Sequence, residues 1–176
     1  LRTARKQTLF PKELERPVQV SDLQASILEL EGQREQDGQV FPLAYRSDSV
    51  EATLEEATTW ARSNASKLCS QAFAHGAVLL RGFPLGSAED FDAMVEAFGL
   101  PEFSYDDSLS NAYRINYTSR VFSANEAPPE ATISLHHEMA QTPIYPSKLF
   151  FFCQIAAETG GATPICRSDV LWDRLV

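Results

Sequence analysis

Cysteine is scarce in this chain: Cys69, Cys153 and Cys166 are the only three in 176 residues. An odd count without metal-ligand spacing excludes a disulfide scaffold and a thiolate metal site, and points to reduced thiols in a cytoplasmic protein, with Cys153 and Cys166 expected to be buried and inert. Long apolar runs are lacking too. None approaches the roughly 20 residues of a membrane-spanning helix, and no signal-peptide core is evident. Cationic side chains are the minority: 15 Lys and Arg stand against 24 Asp and Glu, a formal net charge of −9. A surface with that field repels nucleic-acid phosphates, so neither a membrane nor a nucleic-acid partner is expected.

What is present has a globular balance, with 44% hydrophobic and 22% charged residues, enough for one hydrophobic core. The basic stretch 1–20, with Arg2, Arg5, Lys6, Lys12 and Arg16, reads as an N-terminal arm, and 21–176 as part of a single domain. Ser21 and Gln24 form a capping-box pattern that predicts a short helix ending at Gly32. The polar segment 35–39 reads as a loop. From Ser49 onward, Leu54, Ala57, Trp60, Ala61, Leu68 and Ala72 recur at helical spacing, as one long helix or two abutting ones, ending at His75-Gly76. The apolar run 77–80 predicts a strand buried on both faces. Ser87 caps a further helix carrying Phe91, Met94, Val95 and Phe98, which Gly99 terminates. Beyond it the spacing predicts mostly β structure: short strands over 113–117, 120–124 and 132–136, a strong strand over 148–155, a turn at Gly160-Gly161, a strand over 163–166, and a closing helix capped by Ser168.

Histidine is as rare as cysteine, yet two of the three, His136 and His137, are adjacent in Leu135-His136-His137-Glu138-Met139. On an extended strand alternate side chains share a face, so His136 and Glu138 point one way and His137 the other. One imidazole and one carboxylate make two corners of the two-His, one-carboxylate facial triad that binds Fe(II) and leaves positions open for an oxidant and oxygen. The triplet alone has little specificity. Asn125, on the segment before the metal strand, is a candidate substrate contact.

The surrounding stretches carry far more information. Gly76 to Pro84, Phe91 to Phe98, Arg120 to Glu126, His136 to Gln141, Tyr145 to Cys153 and Gly160 to Ile165 together resemble the taurine/2-oxoglutarate dioxygenase family, within it the clavaminate synthase-like branch. The resemblance implies a mainly β fold with flanking helices, the distorted double-stranded β-helix or jelly roll. It implies a non-haem Fe(II) and 2-oxoglutarate-dependent oxygenase that hydroxylates an unactivated C–H bond of a small, amino-acid-like substrate with molecular oxygen, releasing succinate and carbon dioxide. His136 and Glu138 match two iron ligands. Thr163, after the double glycine, matches the hydroxyl that contacts the 2-oxoglutarate carboxylate. Glu138 also argues against the related halogenases, which have a small residue there.

The resemblance also implies a distal iron-binding histidine and a 2-oxoglutarate-binding arginine. No histidine follows Glu138 in this sequence, so the chain is expected to correspond to roughly the N-terminal half of a family member, with the jelly roll incomplete. Two other readings remain open. One is a non-catalytic remnant of the same architecture acting as a binding or regulatory domain. The other is a hydrolase or isomerase using the same ligands without redox chemistry.

Overall fold

The computed structural model describes residues 22–103, 114–124, 126–128 and 130–176. The basic arm and Asn125 lie outside the described residues.

The first half is built around β4 (Leu43–Ser47), whose Leu43, Ala44 and Tyr45 are all buried. It pairs antiparallel with β1 (Ala25–Ile27) and parallel with β5 (Val78–Arg81), giving the order β1-β4-β5. A parallel pair needs a long crossover, and α1 (Leu54–His75) supplies it between β4 and β5. A reciprocal box starts α1: the Glu56 N–H donates to Thr53 Oγ1 at 3.3 Å, and the Thr53 N–H donates to Glu56 Oε2 at 2.7 Å. Two of the helix's four orphan donors are thereby satisfied. Ala57, Ala61 and Leu68 recur along one face of α1 and are buried against the sheet and α2 (Ala88–Glu96). Their small size lets the elements approach closely, while Leu23, Met94 and Trp60 fill the remaining volume. Burying a side chain such as Leu23 stabilises the fold by about 1.5–3 kcal/mol.

Gly76 ends α1 with φ of +82°, and a Cβ there would come within 2.7 Å of Arg167 Cδ and 3.2 Å of Phe41 Cδ2. Both the backbone sign and the close approach therefore require glycine. His75 contributes through its ring: Nδ1 donates to the Val40 carbonyl at 2.8 Å, tying the helix end to β3 (Gln39–Phe41) and leaving the helix's own terminal carbonyls alone.

Several expectations are corrected. The helix over 21–32 is replaced by β1, because pairing with β4 and insertion of Leu23 into the core outweigh a weak local helical pattern. The segment 35–39 is not a loop. It is a hairpin of β2 (Arg34–Gln36) and β3, with Asp37 and Gly38 both at positive φ, as a two-residue Asp-Gly turn requires. The helix pattern from Ser49 is one helix, beginning at Leu54. In the second half, only the bridge Asn116–Phe122 pairs among the described residues. Neither 132–136, 148–155 nor 163–166 forms a strand, so small mixed sheets and three helices stand where the jelly roll is expected. The closing helix, α3 (Ser168–Leu175), forms as expected, but its N-cap is Arg167 and no side chain caps it. Cys153 and Cys166 are exposed, not buried. Among the described residues no helix is long and apolar enough to cross a membrane.

Candidate functional site

The segment 114–123 folds back on itself around the Asn116–Phe122 bridge. The Ser123 N–H donates to the Ile115 carbonyl at 2.8 Å, the Ile115 N–H to Ser123 Oγ at 2.9 Å, and the Tyr117 N–H to the Val121 carbonyl at 2.8 Å. At its tip, Thr118 Oγ1 accepts from the N–H groups of Arg120 and Val121, as a turn threonine does. Arg120 fastens this hairpin to α2. Its Nε reaches Asp92 Oδ1 at 2.6 Å and its Nη2 reaches Glu96 Oε1 at 3.5 Å, while Nη1 pairs with Glu102. Hydrogen bonding to Asp92, with the nearby carboxylates, holds the Arg120 guanidinium above its ordinary pKa.

At the other end of the hairpin Arg114 points toward the sequence-identified pair. Its Nη1 donates to the Ser123 carbonyl at 3.2 Å, its guanidinium carbon lies 5.5 Å from the Phe122 ring centroid, and its Nη2 donates to Glu138 Oε1 at 2.9 Å. The other carboxylate oxygen, Oε2, faces His136 Nε2 at 3.8 Å. His136 and Glu138 are therefore neighbours, though not by strand alternation. The chain turns over 138–141 and Met139 has φ of +60°. The turn is held by the buried Met139 side chain and by Thr142, whose N–H and hydroxyl both approach the Met139 carbonyl at 3.0 Å.

The imidazole's tautomer follows from its second contact. His136 Nδ1 lies 2.8 Å from the Ser134 carbonyl, which can only accept, so Nδ1 carries the proton. Nε2 is then the ring nitrogen turned toward the Glu138 oxygen, 3.8 Å away. A backbone carbonyl that fixes the remote nitrogen is the usual support of a metal-binding histidine. The donor set, one imidazole and one carboxylate, suits a divalent first-row ion such as iron. These two residues fit two places of a metal site. Among the described residues no third His, Cys, Asp or Glu gathers with them.

The remaining histidines are engaged elsewhere: His137 Nε2 is 2.6 Å from Ser168 Oγ on α3, and His75 is bound to β3. Thr163 stands exposed in the irregular stretch between Gly161 and α3. Asn125 falls outside the described residues. A cleft of about 620 Å³ beside α1, lined by Cys69, Phe73, Phe98 and Leu100 among others, includes none of these groups. Sequence reasoning missed Arg114: it lies 24 positions from Glu138, with no motif linking the two.

Comparison with known proteins supplies the class. Residues 39–176 match the family described as taurine catabolism dioxygenase TauD, TfdA family. This chain belongs to that dioxygenase family, whose members typically use Fe(II) and 2-oxoglutarate. It is 52% identical over 100 residues to a clavaminate synthase-like protein of Arabidopsis thaliana, an alignment covering 57% of this chain and 30% of the plant protein. It is 32% identical over 90 residues to the dapdiamide synthesis protein DdaC of Enterobacter agglomerans, covering 51% of this chain and 27% of the bacterial one. The matched stretch thus spans less than a third of each relative.

Proposed function

We propose that the protein is a non-haem Fe(II)- and 2-oxoglutarate-dependent oxygenase that hydroxylates an unactivated C–H bond of a small, amino-acid-like substrate. The observation that carries this reading is the His136–Glu138 pair, with Nε2 3.8 Å from Oε2 and Nδ1 bonded to the Ser134 carbonyl. His136 and Glu138 hold two places on the metal, and in the whole protein a second histidine takes the third. Thr163 donates its hydroxyl to the 2-oxoglutarate carboxylate. Bound iron with 2-oxoglutarate and oxygen supplies the oxidising power, with succinate and carbon dioxide as by-products. The chain's own residues fix the imidazole's tautomer through Ser134 and orient the carboxylate through Arg114.

The test is 2-oxoglutarate-dependent oxygen uptake and succinate release by the Fe(II)-loaded full-length protein. His136→Ala and Glu138→Ala lose both, and they also lose Fe(II) affinity. Hydroxylation retained in Glu138→Ala removes the assignment. A second reading, a non-catalytic binding domain of the same family, is favoured by the absence of a third ligand among the described residues. Full-length protein that binds no Fe(II) decides for that reading.

A further inference from the structure

We infer that Arg114 is a positioning residue for the carboxylate ligand: it occupies Glu138 Oε1 and turns Oε2 toward His136, so that Glu138 offers a metal one oxygen. The inference rests on the oxygenase reading for the identity of the ion, and on geometry for the rest. A carboxylate has two oxygens, and an unrestrained one can chelate an ion through both, which uses a coordination position that 2-oxoglutarate or oxygen needs. Here one oxygen is already taken at 2.9 Å by a cationic donor. Arg114 is itself held at two other points, the Ser123 carbonyl and the Phe122 ring, and the Arg114 and Glu138 side chains are largely buried, at 17% and 20% exposure. A charge-assisted bond in that setting is stronger and more directional than a surface pair. The other oxygen, Oε2, lies 3.8 Å from His136 Nε2. Outer partners of metal-ligating carboxylates commonly set ligand orientation in this way.

The probe is Co(II), bound to the full-length protein and followed by its visible absorption and by X-ray absorption, with Glu138→Ala as the reference lacking the ligand. The wild type shows one carboxylate oxygen on cobalt. Arg114→Met changes the cobalt spectrum toward higher coordination and weakens binding about 10–100-fold. Arg114→Lys, which still donates to Oε1, recovers the wild-type spectrum. Thermal unfolding run beside these readouts separates a folding defect, and should Arg114→Met not fold, Arg114→Gln replaces it with the same readouts. A spectrum and affinity unchanged in a folded Arg114 variant overturn the inference, as does tighter cobalt binding, which marks Arg114 as only a charge opposing the ion. Wild-type protein whose cobalt binding is indifferent to Glu138→Ala overturns instead the oxygenase reading beneath it.

Discussion

The ring of Phe152 stacks on that of Phe91, with centroids 5.3 Å apart and planes inclined by 24°, and two residues earlier Phe150 meets Phe98 edge-on at 4.9 Å. Phe151, between them, is exposed. The stretch after the site is thus pinned to α2 and the turn that follows it through alternate side chains, and offset aromatic pairs contribute about 0.5–1.5 kcal/mol beyond the area they cover. Phe91→Ala and Phe152→Ala should each destabilise the protein, and the double variant should lose less than the sum by about that amount. Denaturant unfolding of the four-member cycle checks this. Strict additivity would mean the rings do not interact.

Arg120 joins α2 to the hairpin that carries Arg114, and its removal leaves Asp92, Glu96 and Glu102 facing one another. Asp92 is 19% exposed and Glu96 67%, so the two pairs should differ in weight. Arg120→Ala is expected to cost about 1–3 kcal/mol, between the values for exposed and buried pairs. Glu96→Gln should cost well under 1 kcal/mol. Urea midpoints at low and high salt check both, the Arg120→Ala deficit shrinking as salt screens the carboxylates.

How far the sequence revealed the structure differs between its halves, and the reason is the range of the interactions. The helices over Leu54–His75 and Ala88–Glu96 are written in local signals: cap residues, terminal glycines and apolar residues recurring every three or four positions. The Asp37-Gly38 turn was equally local and was overlooked, although Asp-Gly between two short runs is a strong hairpin signal. Residues 148–155 show what locality cannot give. Their alternation is real, since Phe150 packs on Phe98 and Phe152 on Phe91 while Phe151 faces out. A strand also needs a partner for its backbone, and none pairs with it among the described residues. The site divides likewise. His136 and Glu138 were legible from their spacing, for a mechanism the turn at Met139 replaces. Ser134 and Arg114, which orient them, carry no sequence signal.

Gly160 and Gly161 both sit at φ of +67°, but their surroundings differ. A Cβ on Gly160 meets nothing within 4 Å, whereas one on Gly161 would lie 2.6 Å from Ala157 Cβ. Gly160→Ala should therefore cost only the left-handed strain of about 1–2 kcal/mol. Gly161→Ala adds a clash that no flexible side chain can relieve, and should cost more and displace the stretch leading to Thr163. Thermal midpoints of the two variants give the ranking, and equal midpoints would show that the turn yields freely.

Acid should loosen the helix starts first. Hydrogen bonding by the Thr53 N–H holds Glu56 below its ordinary value of 4.5, and the Gly86 N–H does the same for Asp90 below 3.8. At the start of α3, the Arg167 guanidinium holds Asp169 down at about 2. A carboxyl depressed in the folded state binds its proton more readily in the unfolded chain. Its stabilisation is therefore complete above the ordinary value and is lost as pH falls through the depressed one. Stability should be level from neutral pH to about pH 5 and decline below about pH 4.5, with the Asp169 contribution fading only between about pH 4 and pH 2. Glu56→Gln and Asp90→Asn should lower the thermal midpoint at neutral pH, and the deficit should shrink as pH falls below the carboxyls' ordinary values. Variants that keep the parent's full acid slope would show that the acid sensitivity does not arise at these caps.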